Sequence, residues 1–182
     1  MNRDNSQRFT DFSGKIQATF KMKQYMKENG GPKGNLQYLR LAAEDDTELL
    51  FQWANEALVR KNSFSGEKIL YSEHLKWFEK ILGQENTKQY IFVYNDSPIG
   101  QIRITVSGEC AEISYSICEK ERGKGHGKEL LDLLKEKVKQ DFPHVQRLIA
   151  KVKPDNIASQ AVFLNKGYVE KYRLYEMELT EK

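Results

Sequence analysis

The sequence of 182 residues is poor in cysteine and proline and has no long apolar run. Its two cysteines, Cys110 and Cys118, form no CxxC motif, which argues against a zinc site or a redox pair. The three histidines are scattered without a partner at metal-ligand spacing, so we expect no metal centre. No apolar run reaches the roughly 18 residues of a membrane span, and the N-terminus lacks the apolar core of a signal peptide. These absences favour a soluble cytoplasmic protein.

A large excess of one charge is also missing. The formal net charge is +3, and residues 1–36 hold seven Lys and Arg against three Asp and Glu, a net of +4. Residues 37–182 therefore carry 3 − 4 = −1 and no basic stripe of the kind that binds nucleic acid. We do not expect a nucleic-acid partner for this part, although contact of the basic segment with RNA stays open as an alternative.

The chain divides into an extension and one domain. Residues 1–36 form a basic N-terminal extension that ends in the Gly- and Pro-rich stretch "ENGGPKGN", typical of a linker or turn. Within it, the spacing of Ile16, Phe20 and Met26 predicts a short helix over 14–28. Residues 37–182 are long enough to bury a core without disulfides or metal, and we interpret them as a single domain.

Residues 37–182 predict an α+β fold with a mixed, mostly antiparallel sheet flanked by helices. Three runs joined by short turns, "QYIFVYN", "IGQIRITV" and "AEISYSIC", indicate an antiparallel meander. Further strands are predicted at "LQYLRLA", "RLIAKV" and "RLYEMELT".

Four helices are predicted between these strands. "EDDTELLFQWANEALVRK" predicts one helix that opens on acidic residues from Asp45, and "YSEHLKWFEKILG" a second with Ser72 as N-cap and Gly83 just past its end. A third follows the glycine stretch and stops around Pro143, and "NIASQAVFLNKG" predicts a fourth ending at Gly167.

The stretch "ERGKGHGKELL" runs Gly123, Gly125 and Gly127 straight into the third helix. A helix N-terminus presents unpaired N–H groups and a partial positive charge, and glycines let a phosphate approach that backbone closely. Positive side chains are added by Arg122, Lys124 and Lys128. The stretch therefore predicts a site for a phosphorylated ligand.

Two common phosphate motifs do not fit this stretch. A P-loop needs GxxxxGK[ST], but Gly127 and Lys128 are followed by Glu129, so the Mg²⁺-binding hydroxyl is missing. A dinucleotide fingerprint needs GxGxxG, and its third glycine would fall on Lys128.

The pattern Arg122-x-x-Gly125-x-Gly127, preceded by a strand and opening a helix, resembles the GNAT superfamily of N-acetyltransferases. In that family the signature (Q/R)-x-x-G-x-(G/A) cradles the coenzyme A pyrophosphate. Downstream, "NIASQAVFLNKGY" is similar to a second family motif, with Asn156 after a strand, Phe163 along a helix and a turn at 166–168. The resemblance covers nearly all of the chain except the extension.

The resemblance implies acetyl-CoA as co-substrate, lying where the strands "AEISYSIC" and "RLIAKV" splay apart. Its pantetheine arm would pair with backbone near Ile117, and its pyrophosphate would meet the amides of residues 123–128. Asn156 would bind the coenzyme arm or order the loop, and a plain helix cap remains open. The implied coenzyme-binding set is Ile117, Arg122, Gly123, Lys124, Gly125, His126, Gly127, Lys128 and Asn156.

The resemblance also implies direct attack of an amine on the thioester. Glu112 is the candidate base, because many family members place a carboxylate at the start of this strand; a structural Glu accepting cross-strand hydrogen bonds remains open. The helix position that usually carries a proton-donating tyrosine holds Phe163, which cannot donate a proton. Tyr168, Tyr115 or water would substitute, or the thiolate would leave unassisted. Tyr168 as a core aromatic is the alternative to its role as a proton donor.

The segment "WANEALVRKNSFSGEKILYSEHLKWFEKIL" resembles acetyltransferases that modify nucleotide-linked amino sugars. This implies transfer of an acetyl group to the primary amine of a small molecule, and it names Arg60, Lys61, Asn62, His74 and Trp77 as acceptor-binding candidates. Trp77 as a core residue stays open. Three further alternatives stay open: a polyamine or protein amine as the acceptor, a non-catalytic acyl-CoA-binding module, and a homodimer.

Overall fold

The computed structural model describes residues 36–172. Within this range the order of elements is β1 (Gln37–Leu41), α1 (Thr47–Ala54), α2 (Ala57–Asn62), α3 (Tyr71–Leu82), β2 (Thr87–Tyr94), β3 (Ser97–Ser107), β4 (Cys110–Ile117), α4 (His126–Asp141), β5 (Arg147–Ala150) and α5 (Ile157–Asn165). Short 3₁₀ turns at Glu44–Asp46 and Glu119–Glu121 precede α1 and the glycine stretch. The helix predicted over 14–28 and the strand predicted at "RLYEMELT" lie outside the described residues.

The five described strands form one sheet in the order β1-β2-β3-β4-β5. The first four are antiparallel neighbours, and β5 pairs parallel to β4. The β2–β3 turn lies at Asn95 and Asp96, both at positive φ (47° and 63°), which suits a two-residue hairpin. The mixed, mostly antiparallel α+β fold is therefore confirmed, with this turn placed slightly before the predicted "DSP".

β4 and β5 separate partway along their length. Their pairing runs only from Cys110 opposite Arg147 to Ile113 opposite Ala150, while β4 continues to Ile117. The Cys118 N–H donates to the Ile99 carbonyl of β3 at 2.9 Å. Because strand hydrogen bonds alternate in direction, the backbone groups of Tyr115 and Ile117 face the opening instead. This opening, called here the β4–β5 gap, is the predicted splay.

The two faces of the sheet carry different cores. Alternate residues of β3 and β4, such as Ile102, Ile104 and Ile113, pack with Leu130, Leu131 and Leu134 of α4. On the other face, Ile91 and Val93 pack with Trp53 and Phe78 of α1 and α3. The remaining alternate positions of β3 and β4 form a polar face on that second side, made of Gln101, Arg103, Thr105, Glu112, Ser114 and Ser116.

The single helix predicted over 44–61 is wrong, because the chain breaks between α1 and α2 at Asn55 and Glu56. The Asn55 side chain accepts a hydrogen bond from the Ile69 N–H at 2.9 Å and donates to the Ile69 carbonyl at 3.2 Å. An asparagine bonded to backbone in this way competes with helical pairing. The break turns α2 away from α1 and sets the Glu56 side chain beside the glycine stretch.

The predicted helix starts are also shifted. Asp46, not Asp45, is the residue before α1; its carboxylate bonds to Arg40 at 2.6 and 2.7 Å and accepts the Ala43 N–H at 2.9 Å. α3 begins at Tyr71, with Leu70 and not Ser72 at the cap position, whereas its end at Gly83 is confirmed.

Candidate active site

The glycine loop, residues 122–127, leads from the end of β4 into α4. Gly123 and Gly125 have φ values of +75° and +92°, a left-handed backbone that favours glycine. A Cβ at either position would meet no atom within 4 Å. These glycines are therefore required by the backbone conformation and not by close packing. At the start of the helix, the Lys128 N–H donates to the Gly125 carbonyl at 2.9 Å. The amides just before it point out of the helix end, where an anion would bind.

Gly127 differs, because it lies inside the first turn of α4 against other elements. An added Cβ would lie 3.4 Å from the Tyr115 hydroxyl oxygen and 3.6 Å from Cγ2 of Val162. The glycine therefore lets α4 approach β4 and α5 closely beside the gap.

Arg122 is held by the protein itself. Its Nε donates to the Ile117 carbonyl at 2.9 Å, and its guanidinium forms an ion pair with Glu56. Glu56 also accepts the Glu119 N–H at 3.4 Å. The structure thus uses Arg122 to join the glycine loop to the α1–α2 break. Lys124 pairs with Glu121 at 3.0 Å, and Lys128 is exposed.

The His126 side chain is buried and points toward the sheet. Its Nδ1 lies 2.7 Å from Glu129, its Nε2 lies 3.3 Å from Glu121, and its ring centroid is 4.7 Å from that of Tyr94. Because the side chain is turned inward, His126 could contact a coenzyme only through its backbone N–H.

Asn156 is the N-cap of α5. Its Oδ1 accepts the Ser159 N–H at 3.2 Å. Of the alternatives raised by the sequence, the structure shows the capping role, which fixes the start of the helix that borders the gap.

Three aromatic rings pack along the inner side of the gap. The Phe163 ring lies 5.7 Å from Tyr115 and 4.9 Å from Tyr168, both edge to face. Burial raises the pKa of Tyr115, whose hydroxyl bonds to Ser159. Burial also raises the pKa of Tyr168 to about 12, and its hydroxyl is buried without a hydrogen-bond partner within residues 36–172.

Glu112 lies on the polar face, opposite Thr105 of β3 and Ile149 of β5. Its half-exposed carboxylate pairs with Lys151, which follows β5, at 2.8 Å. Glu112 lines an open pocket of about 290 Å³ together with Arg103, Ser114 and Ile149. The carboxylate is therefore open to an incoming acceptor.

Sequence reasoning missed Arg103. Its guanidinium carbon lies 5.4 Å from the centroid of the Trp77 ring. In "IGQIRITV" it occupies a polar position between two apolar ones, which looks like any solvent-facing strand residue. Only the packing of α3 over β3 distinguishes it.

Two of the predicted acceptor residues support the fold instead. Arg60 donates to the Ala54, Ser65 and Glu67 carbonyls and to the Ser63 hydroxyl, at 2.7 to 3.3 Å, so it organises the loop after α2. His74 is 2% exposed, and its Nε2 lies 3.1 Å from the Thr47 carbonyl, which joins α3 to α1.

The other three lie nearer the surface. Trp77 is half-buried, its centroid 5.4 Å from that of His74, with Arg103 on the polar-face side. Lys61 is exposed, and its carbonyl accepts a hydrogen bond from Lys153 at 3.0 Å. Asn62, partly exposed, ends α2. Of the predicted set, Trp77 is the residue tied to the polar face by a contact.

Within residues 36–172, no group of three His, Cys, Asp or Glu side chains is placed to hold a metal ion. No helix in the same range is long and apolar enough to cross a membrane.

The open β4 edge and the glycine loop at its end define an acetyltransferase fold. The chain belongs to the acetyltransferase (GNAT) domain family, which matches residues 38–169. It is an N-acetyltransferase with acetyl-CoA as co-substrate, as the sequence predicted. No curated protein matches the sequence.

Solved structures share the fold at low sequence identity. A domain from Methanocaldococcus jannaschii DSM 2661 has a TM-score of 0.69 and 21% identity, over 79% of this chain and 94% of that one. Aminoglycoside acetyltransferase AAC(6')-Ib in complex with coenzyme A gives 0.65 and 21%, over 75% and 86%. Spermidine N-acetyltransferase from Vibrio cholerae, in complex with CoA and spermine, gives 0.68 and 15%, over 80% and 88%.

Proposed function

We propose that the chain transfers the acetyl group of acetyl-CoA to the primary amine of a nucleotide-linked amino sugar. The observation that carries the transfer step is the placement of Glu112 and the glycine loop along one strand, β4, whose edge opens between them. The choice of acceptor rests on the resemblance of residues 53–82. A coenzyme bound along that edge would bring its thioester to the polar face.

The coenzyme would be held mostly by backbone. The amides of residues 123–127 would take the pyrophosphate, each charge-assisted hydrogen bond being worth roughly 1.5–3 kcal/mol. The pantetheine amides would pair with Tyr115 and the Ile117 N–H, since the Ile117 carbonyl already accepts from Arg122. Lys124 and Lys128 would add long-range attraction for the phosphates.

Glu112 would act as the general base, directly or through a water molecule. It takes a proton from the acceptor ammonium, and the freed amine nitrogen attacks the thioester carbonyl carbon. The nitrogen of the resulting adduct gives up its second proton to water, the carbon–sulfur bond breaks, and the coenzyme leaves as a thiolate while the acetyl group stays on the acceptor as an amide. Lys151, 2.8 Å from the Glu112 carboxylate, would hold that carboxylate in place at the pocket.

Tyr168 would protonate the thiolate in place of the missing tyrosine at Phe163. Its ring packs directly on Phe163, and its hydroxyl has no partner within the described residues. A pKa of about 12 keeps that hydroxyl protonated at neutral pH. It would therefore stand protonated beside the position of the family's tyrosine, although the same burial makes it a weaker acid than an exposed tyrosine.

The second candidate function is acetylation of a polyamine or protein amine. Polycationic acceptors favour sites that gather carboxylates, but the carboxylate of this polar face is already paired with Lys151 and shares the face with Arg103. That arrangement favours an acceptor that is not a polycation.

The test is thiol release from acetyl-CoA across a panel of amines: 4-amino sugar nucleotides, spermidine, aminoglycosides and N-terminal peptides. We expect acceleration by an amino sugar nucleotide. Acceleration by spermidine alone would move the assignment to polyamines. Tight binding of acetyl-CoA with no amine accelerating release would favour a non-catalytic acyl-CoA-binding module.

A further inference from the structure

Arg103 is a cation on the polar face whose nearest carboxylate in the described part of the chain, Glu112, acts on it through space and forms no ion pair with it. It projects from β3 directly opposite Ser114 of β4 and lines the same pocket as Glu112. Within residues 36–172, its guanidinium forms no ion pair within 4 Å and no hydrogen bond with a protein oxygen. A guanidinium carries five N–H donors in a planar fork, which a ligand in the pocket could contact.

The side chain is not a loose surface arginine. It is partly buried, and its guanidinium lies 5.4 Å from the centre of the Trp77 ring, so stacking limits its freedom. Burial lowers the pKa of Arg103, although Glu112 opposes that shift. Burying a cation without hydrogen bonds has a cost, and an incoming anion would offset it.

The other charges on the polar face also favour an anionic ligand. Glu112 is the carboxylate of the polar face, and Lys151 pairs with it at 2.8 Å. Among the described residues of the polar face and its neighbour Lys151, two cations therefore stand against one carboxylate. A face with excess positive charge attracts an anionic ligand and repels a polycation.

The register places the two residues that would hold the ends of such a ligand close together. Arg103 stands opposite Ser114 and Glu112 opposite Thr105, so Arg103 and Glu112 are diagonal neighbours on adjacent strands. Diagonal neighbours on adjacent strands lie about 7–8 Å apart, and their Cβ atoms lie somewhat closer. A sugar that carries an amine and an anion at different ring positions can reach both side chains.

We propose that Arg103 is a specificity-determining residue that binds the phosphate or carboxylate of the acceptor while Glu112 receives its amine. This inference rests on the proposed function and deepens it, since it assigns the acceptor a negative charge and names the side chain that recognises it. Trp77 holds the guanidinium in position. Arg, unlike Lys, can contact a phosphate or carboxylate through two parallel hydrogen bonds.

The test uses one 4-amino sugar in three forms: a neutral methyl glycoside, a carboxymethyl glycoside and a 1-phosphate. In the unmodified protein we expect kcat/KM for the anionic forms to exceed that of the methyl glycoside by about 10- to 100-fold, the range of one charge-assisted interaction. The carboxymethyl and phosphate arms show which anion is preferred.

Arg103→Gln should reduce that ratio to within about threefold of unity, and Arg103→Lys should restore part of it. The ratio of kcat/KM values for the anionic and neutral forms does not depend on the fraction of folded protein. An unchanged KM for acetyl-CoA would show that the coenzyme site is intact. Lys139→Gln, which removes the same charge from an exposed position of α4, should keep the full ratio. No preference in the unmodified protein, or a full preference in Arg103→Gln, would overturn the inference while leaving amine acetylation intact.

If no form is acetylated, the proposed function fails and binding decides the inference separately. Calorimetric titration of the 1-phosphate into the protein with coenzyme A should then show weaker binding to Arg103→Gln than to the unmodified protein. Equal affinity, or no binding to either, would overturn the role of Arg103.

Discussion

Glu112 and Tyr168 take opposite roles in the proposed proton transfers, and their surroundings differ accordingly. The Glu112 carboxylate is half-exposed at an open pocket, suited to exchanging protons with an acceptor or water. The Tyr168 hydroxyl is buried beside Phe163. A base at the acceptor side and an acid at the thiol side are what aminolysis of a thioester needs.

Glu112→Gln should lower kcat by about 10²- to 10⁴-fold, because the amide cannot accept the ammonium proton. The KM for acetyl-CoA should change little, since the proposed coenzyme site is the backbone of β4 and the glycine loop. Steady-state thiol release measures both quantities. Glu109→Gln, an exposed carboxylate at the β3–β4 turn, is the matched control; equal losses in the two variants would contradict the assignment.

Tyr168→Phe should lower kcat by about 10²-fold if its hydroxyl protonates the thiolate. The same change should leave thermal stability unchanged or higher, because a buried hydroxyl without a partner is removed. Tyr115→Phe is the comparison, since it removes a hydroxyl that is bonded to Ser159. Full activity in Tyr168→Phe would leave Tyr168 as a core aromatic only.

For single residues, the sequence predicted which positions need a particular backbone geometry better than it predicted which side chains contact each other. The glycines of 123–127 and the cap residue Asn156 act through local geometry that a short motif encodes. Arg60 and His74 could not be told from ligand-binding residues, because their partners depend on how the α2–α3 loop and α1 pack. Arg103 was missed for the same reason.

The glycine loop and α4 form the element that should decide coenzyme affinity. Gly127→Glu should weaken acetyl-CoA binding by at least about 100-fold, since it places bulk and a negative charge at the helix start beside Tyr115. Gly125→Glu should act similarly but also strains a residue at φ +92°. Calorimetric titration measures the affinity.

Gly127→Ala is the control, because it adds a methyl group at 3.4 Å from the Tyr115 hydroxyl without adding charge. It should retain most of the affinity. Unchanged acetyl-CoA affinity in a folded Gly127→Glu protein would reject the placement of the pyrophosphate.

The ion pair of Glu56 and Arg122 joins the α1–α2 break to the glycine loop. Glu56→Gln should raise the KM for acetyl-CoA about fivefold, the effect of losing about 1 kcal/mol of loop order in a partly buried pair. Steady-state kinetics at varied acetyl-CoA measures it. Glu119→Gln, an exposed neighbour, should have no effect; a KM in Glu56→Gln equal to that of the unmodified protein would show that the pair does not order the loop.

At the scale of elements, the order of strands and helices was predictable, whereas several helix boundaries were not. Alternation in "IGQIRITV" and the end of α3 at Gly83 are local signals, and both were confirmed. The break at Asn55 depends on a hydrogen bond to Ile69, fourteen residues away, which no helical pattern contains.

For the molecule as a whole, two buried titratable groups predict acid sensitivity. Burial lowers the pKa of His74 below its ordinary 6.5, against opposing effects of Thr47 and Glu48. Burial raises the pKa of Asp46, but hydrogen bonds from Arg40 and the Ala43 N–H outweigh it and hold the pKa below 3.8. In both cases the unfolded chain binds a proton at higher pH than the folded one.

The free energy of unfolding should therefore fall as pH drops from about 6.5 through the lowered pKa of His74, and fall again below about pH 3.8 as Asp46 is protonated. Urea unfolding at a series of pH values measures this. His74→Phe should remove the upper stage of the dependence and leave the lower one. A stability that rises as pH drops below 6.5 would contradict the buried, neutral state of His74.

The family and its coenzyme were predictable from two short motifs, because glycine spacing and helix starts are set by adjacent residues. The polar face was not, since it brings together β3, β4 and α3, whose side chains meet only after the sheet has formed. The inference about the charge of the acceptor therefore depends on the structure and could not be drawn from the sequence.

The most direct test of acetyl transfer is mass spectrometry of the product formed from isotopically labelled acetyl-CoA and a 4-amino sugar nucleotide. We expect a labelled N-acetyl sugar nucleotide in an amount equal to the coenzyme A released, and far less of it with Gly127→Glu at the same acetyl-CoA concentration. Acetyl-CoA binding without any labelled product, from this acceptor or from any other amine in the panel, would contradict it.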